Sequence, residues 1–309
     1  MKFIKSKTLL TASLAAAIIV TGVGLAGSAS RPNVANAATP NYSNEVADTG
    51  SGHYVTVEKN TRLYVEDVGK GKPVIFLHGW PFNHEMFEYQ QNTLPAKGIR
   101  FIGIDLRGFG KSDHTYNGNN MQTYADDVRA VIEKLNLKDA TLVGFSMGST
   151  VATQYMTKYH DNRVSKLILT AAPTPKWGLP KEVIDGLVAS LIQDRPKTLA
   201  VGADTFVTKP STEYMAWLSQ LGLEADAHTT IESIKSVAAT DLTEKLNQIK
   251  VPTLILHGVQ DKTVPFAVAE ELHKGINNSK LVPFENSGHG IFYDEKDKYN
   301  EQIINFVRP

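Results

Sequence analysis

Hydrophobic and polar positions change period repeatedly along this chain, and the changes predict its elements. Residues 54–58 and 62–66 alternate apolar and polar side chains, as the two arms of a hairpin do. Six further short runs, at 74–77, 101–105, 141–145, 167–170, 253–256 and 280–284, are rich in Ile, Leu and Val, the mark of strands buried on both faces. Between them the period lengthens to that of helices near 85–94, 121–135, 148–159, 267–274 and 294–306. Strands alternating with helices predict the α/β class, with a mostly parallel sheet covered on both faces. Sites in such sheets gather at the carboxyl ends of the strands.

One interval departs from this alternation. Residues 173–246 are helical in pattern and carry Trp177, Phe206, Tyr214, Met215 and Trp217. An inserted helical cap over the sheet is the expectation, dividing the folded region 53–309 into a core of 53–172 and 247–309 and a cap of about 173–246. Trp177, Phe206, Met215 and Trp217, with Phe82 on a strand-end loop, are the candidates for lining a substrate pocket, although apolar residues in a helical insertion more often serve its core.

The amino terminus has a different pattern. Lys2, Lys5 and Lys7 precede an uncharged stretch at 8–30, and Ala35-Asn36-Ala37 offers small residues around a cleavage point. Residues 1–37 therefore read as a secretory signal peptide, with a signal anchor as the alternative, and 38–52 as a polar leader. Both readings put the folded region outside the cytoplasm, and cleavage would leave no membrane anchor. Overall charge is balanced, with 32 Lys and Arg against 32 Asp and Glu, but residues 1–37 hold four of the basic side chains and none of the acidic ones. The remainder is net acidic by four charges, which disfavours nucleic acid as a partner. The chain has no cysteine, so disulfides, thiolate nucleophiles and Cys-based metal centres are excluded.

The sharpest local signal is Gly144-Phe145-Ser146-Met147-Gly148, which closes one predicted strand and opens a helix. A nucleophile on a tight strand-to-helix turn needs this context, because the turn projects the serine and the glycines permit close backbone approach. Partners are sought at later strand ends. Asp261 is the acid just past the strand at 253–256, and His289 lies in the Gly-flanked loop after 280–284. The order Ser, Asp, His, at separations of 115 and 28 residues, supplies hydroxyl, orienting carboxylate and base. An oxyanion site needs two backbone donors: Met147, beside the serine at a helix N-terminus, and Trp80, in His78-Gly79-Trp80-Pro81, where Pro81 has no N–H.

Competing motifs fail. Gly110-Lys111-Ser112 ends like a phosphate loop, but Asp105 occupies the place of its first glycine; His84-Glu85 opens like a zinc-protease helix, but Glu88 stands where the second histidine belongs. No metal site is expected. His78 and His257 read as structural hydrogen-bonding residues in turns, and His53, His84, His114, His160, His228 and His273 as surface or helix residues without partners.

Taken with Asp105-Leu106-Arg107-Gly108-Phe109-Gly110-Lys111-Ser112-Asp113, Asp261-x-x-Val264-Pro265 and Ser287-Gly288-His289-Gly290, these motifs resemble the α/β-hydrolase superfamily. Within it the chain is similar to the bacterial cofactor-free haloperoxidase, perhydrolase and arylesterase group, from about His53 to the C-terminus. The resemblance implies an α/β-hydrolase fold with a mostly parallel eight-stranded sheet. It further implies hydrolysis of short-chain or aryl carboxylic esters by Ser146, His289 and Asp261 without a cofactor, and a side reaction in which hydrogen peroxide replaces water. Two other readings stay open: the same three residues acting on lactones or carbon–carbon bonds, and a ligand-binding protein on the same fold that does not turn over.

Overall fold

In the central strands, neighbouring residues face opposite cores. Ile75, Leu77, Ile102, Leu142 and Leu169 belong to one buried cluster, while Val74, Phe76, Phe101, Val143 and Ile168 belong to a second. A period of two does this wherever both sheet faces are covered. The computed structural model describes residues 52–160, 162–200 and 203–308. The expected signal peptide and all but the last residue of the leader lie outside the described residues.

Among the described residues eight strands form the sheet: β1 (His53–Glu58), β2 (Thr61–Val68), β3 (Lys72–Leu77), β4 (Ile99–Ile104), β5 (Ala140–Phe145), β6 (Val164–Thr170), β7 (Thr253–Gly258) and β8 (Ser279–Phe284). Their order is β1-β2-β4-β3-β5-β6-β7-β8. Only β2 runs against the rest, pairing antiparallel with β1 and β4; the other pairs are parallel. β2 alternates buried and half-buried positions, whereas all six residues of β5 are buried. The α/β class and mostly parallel sheet expected from the sequence are what the fold has.

Helices α1 (Glu88–Thr93), α2 (Met121–Lys134) and α3 (Met147–Lys158) connect the first strands. α2 buries Met121, Tyr124, Ala125, Val128, Val131 and Ile132, a stripe at three- and four-residue spacing, in the first cluster. The Asn120 side chain accepts from Thr123 N and starts this helix at that point. The 85–94 helix of the sequence reading is divided in the structure, with a 3-10 turn at His84–Phe87 leading into α1.

Between β6 and β7 come α4 (Lys181–Leu199), α5 (Ala203–Phe206), α6 (Thr212–Leu223) and α7 (Ala227–Ala239). α4 kinks at Asp194, whose carboxylate accepts from Lys197 N and so caps a new start, with Pro196 in its first turn. This inserted group is tied to the strand-end loops at several points. Trp80 Nε1 donates to Thr230 O at 2.8 Å, Asp226 N to Gly108 O at 2.9 Å, and Gly290 N to Phe206 O at 2.7 Å. After β7 follow α8 (Phe266–Gly275), a short α9 (Ile291–Asp294) and α10 (Lys296–Val307), where the sequence pattern suggested one helix over 294–306. Tyr299, Ile303 and Val307 of α10 enter the second cluster.

Candidate active site

β5 ends at Phe145, and the chain turns at Ser146 with φ 50° and ψ −120° before α3 begins at Met147. This is strained backbone for a residue with a side chain, and it lifts the serine out of both strand and helix. Gly148 backs the turn against the end of β3 more closely than any Cβ would permit. The first turn of α3 is buried, yet Ser146 itself is partly accessible.

The loops after β7 and β8 bring two more side chains to it. Asp261 Oδ1 accepts from the backbone N–H groups of Thr263 and Val264, both at 2.8 Å, and Oδ2 lies 2.7 Å from His289 Nδ1. An ionised carboxylate only accepts, so His289 carries its proton on Nδ1 and presents a bare Nε2. The Ser146 hydroxyl donates to that nitrogen at 3.0 Å. Burial by itself would raise the Asp261 pKa, but the electrostatic attraction of the His289 ring and hydrogen bonds from His257 and His289 outweigh it and hold the carboxyl well below the usual carboxylate range. His257 Nε2 lies 3.4 Å from Asp261 Oδ2 and donates to Val264 O at 2.8 Å, so its role in the turn extends to the carboxylate. The three residues singled out in the sequence thus form one hydrogen-bonded chain.

Trp80 sits in a turn closed by Phe82 N donating to Gly79 O at 2.9 Å. A Cβ on Gly79 would stand 3.2 Å from Ser146 Cβ, so this turn lies directly against the serine. Met147, as the first residue of α3, has no acceptor for its N–H within the helix.

The candidate pocket residues separate into two groups. Phe206 packs against the His289 ring at 5.8 Å, against Phe82 at 5.5 Å and against Phe145 at 6.2 Å. Met215 is buried in the same cluster as these three phenylalanines. Trp217 instead packs on Tyr214 at 5.7 Å, partly exposed. Trp177 belongs to the opposite cluster and lines a separate groove of about 550 Å³ with Pro175, Leu246, Val268 and Lys274.

The sequence reading of His84 as an unpaired surface or helix residue is corrected. His84 is buried, its Nδ1 lies 2.6 Å from Asp105 Oδ1, and its backbone N–H donates to the same oxygen at 2.8 Å. The partner comes from the end of β4, so nothing local to His84 announces it. His273, His228 and His114 also have partners, the Ser279 hydroxyl, the Tyr116 ring and the Gly110 carbonyl.

Residues 72–296 match the family described as alpha/beta hydrolase fold. The chain is 50% identical over 264 residues to an AB hydrolase superfamily protein, YisY, of Bacillus subtilis, covering 82% of this chain and 98% of that one. A bifunctional esterase/perhydrolase of Acinetobacter calcoaceticus is 32% identical over 274 residues, at 82% and 99% coverage. Among solved structures, an esterase from Exiguobacterium antarcticum superposes with a TM-score of 0.81 at 41% identity, covering 84% of this chain and 100% of its own. Relatives named non-heme chloroperoxidase and haloperoxidase accompany them, the group that the motifs resemble. With the sheet order, the strand-end loops and these matches in agreement, the chain belongs to the α/β-hydrolase family.

Proposed function

We propose that this protein is a serine hydrolase of carboxylic esters, with short-chain or aryl esters as its substrates and an acyl-enzyme as its intermediate. The observation that carries the proposal is the chain of hydrogen bonds from Ser146 through His289 to Asp261. Ser146 Oγ attacks the acyl carbon as His289 Nε2 takes its proton, and Asp261 holds the imidazole in the tautomer that can do so. The oxyanion is received by the N–H groups of Met147 and Trp80, a kind of contact worth about 3–4 kcal/mol of barrier per donor. His289 then returns the proton to the leaving alkoxide or phenoxide. Water, deprotonated by the same nitrogen, cleaves the Ser146 ester and releases the acid. Hydrogen peroxide in place of that water gives the peracid and restores Ser146, and the esterase/perhydrolase relative supports this second outcome.

The test is hydrolysis of p-nitrophenyl esters from acetate to octanoate by the purified protein and by Ser146→Ala, His289→Ala and Asp261→Asn, with and without hydrogen peroxide and a peracid trap. Turnover by the wild type, with losses of about 10³-fold or more in the serine and histidine variants, is expected. Full activity in Ser146→Ala would refute the assignment of the site. An inactive wild type would refute the ester reading.

A further inference from the structure

The loop after β3 holds a fully buried imidazole whose two nitrogens are engaged differently. His78 has no exposed surface. Its Nε2 lies 3.0 Å from Leu106 N, and since a backbone amide only donates, Nε2 is the bare nitrogen and Nδ1 carries the proton. Nδ1 lies 3.0 Å from Gly79 O and donates to it. Phe82 N donates to the same carbonyl at 2.9 Å.

Two donors on one carbonyl oxygen fix the plane of the Gly79–Trp80 peptide. In a trans peptide the C=O and N–H point in opposite directions, so the Trp80 N–H is turned away from His78. That plane needs fixing because residue 79 has to be glycine. A Cβ there would fall 2.6 Å from the Phe145 ring, and glycine leaves the adjoining peptides freer to rotate than any other residue would. We infer that His78 is a positioning residue: by donating from Nδ1 to Gly79 O it locks the peptide whose N–H, that of Trp80, receives the oxyanion formed at Ser146. The inference rests on the ester-hydrolysis reading of the site.

The surroundings keep the lock in one state. Burial pushes the His78 pKa down to about 4, against the opposing effects of Asp105 and the Gly79 carbonyl and with a further lowering from His84. Around neutral pH the ring is therefore uncharged. A protonated ring would also turn an Nε2–H against the Leu106 N–H, donor to donor.

The experiment compares wild type, His78→Leu and His78→Asn, each titrated to completion with an aryl phosphonate so that rates refer to competent sites. His78→Leu is expected to lose about 10- to 100-fold in kcat with KM within about twofold, short of the loss of a whole donor. Its affinity for an arylboronic acid, which forms a tetrahedral adduct at the serine, should weaken by a similar factor. His78→Asn places an amide N–H near the Nδ1 position and should recover most of both. A lower Tm in His78→Leu with unchanged kcat per titrated site and unchanged boronate affinity would overturn the inference, as would His78→Asn performing no better than His78→Leu. A wild type that binds boronate but hydrolyses no ester would sink the ester reading separately, and the boronate affinities of the variants would still decide the role of His78.

Discussion

Adding one methyl group should have opposite effects at two glycines of this protein. At Gly148 the new Cβ would fall 2.2 Å from Leu77 O and 2.7 Å from His78 O, where ordinary contact begins at 3.4 Å. Both obstacles are backbone atoms at the end of β3, so no side chain can rotate away, and α3 must separate from the sheet by roughly 1 Å. A clash of this kind costs about 3 kcal/mol, which for a domain of this size lowers Tm by roughly 6–12 °C. The same shift moves the proposed nucleophile away from the Trp80 turn, and misplacement by 1 Å costs about 100-fold in rate. At Gly186, inside α4, no atom beyond its chain neighbours and its own helix backbone lies within 4 Å of the added Cβ. Alanine there should raise stability by about 0.5–1 kcal/mol through helix propensity alone and leave turnover unchanged. Urea unfolding followed by circular dichroism, together with p-nitrophenyl acetate hydrolysis, measures both. If Gly148→Ala lies within 1 kcal/mol of wild type with normal turnover, the close approach of helix and strand is not what holds the turn.

Four further outcomes follow from particular contacts. Arg107, buried, bonds Asp127 through Nε and Nη2 at 2.7 Å each, so Arg107→Ala should cost about 3–5 kcal/mol by stranding a buried carboxylate, and Arg107→Met with Asp127→Leu should recover much of it in urea unfolding. His78 protonates at about 4 when folded and near its ordinary 6.5 when unfolded, so the unfolded chain binds more protons between these values and stability falls as pH drops through them, by about 3 kcal/mol. That part of the acid slope should be missing in His78→Leu. Phe206→Ala removes the ring packed on His289 and should shift the ester chain-length preference upward; an unchanged preference would mean that the ring does not bound the acyl group. If residues 1–37 are a cleaved signal, N-terminal sequencing of the exported protein should begin at Ala38, whereas retention of those residues on the membrane would mark an anchor.

Much of the candidate site is legible in the sequence because its residues sit where local chemistry marks them. The glycines around Ser146, the loop at Asp261-x-x-Val264-Pro265 and the Gly-flanked His289 each stand at the end of a strand whose apolar run is visible. Sheet order was not readable from period alone, since the crossing that puts β4 outside β3 leaves no periodic trace. His84 escaped for a similar reason: its partner Asp105 is 21 residues away and becomes adjacent only when β4 pairs in the sheet. The tryptophans of the insertion show the limit of composition as a guide. Trp177 and Trp217 are larger aromatic side chains than Phe206, yet of the three only Phe206 lies against His289, because which side of a helical insertion faces the sheet depends on tertiary contacts such as Gly290 N to Phe206 O.

The most direct test of the proposed chemistry is the first turnover itself. Rapid mixing of p-nitrophenyl acetate with the protein, acid quenching and peptide mass mapping should show one acetyl group per chain, on the peptide and at the hydroxyl of Ser146, accompanied by a burst of one nitrophenolate. In His289→Ala the burst should slow by orders of magnitude at the same serine. Acetyl on another residue, or an undiminished burst in Ser146→Ala, would contradict the account.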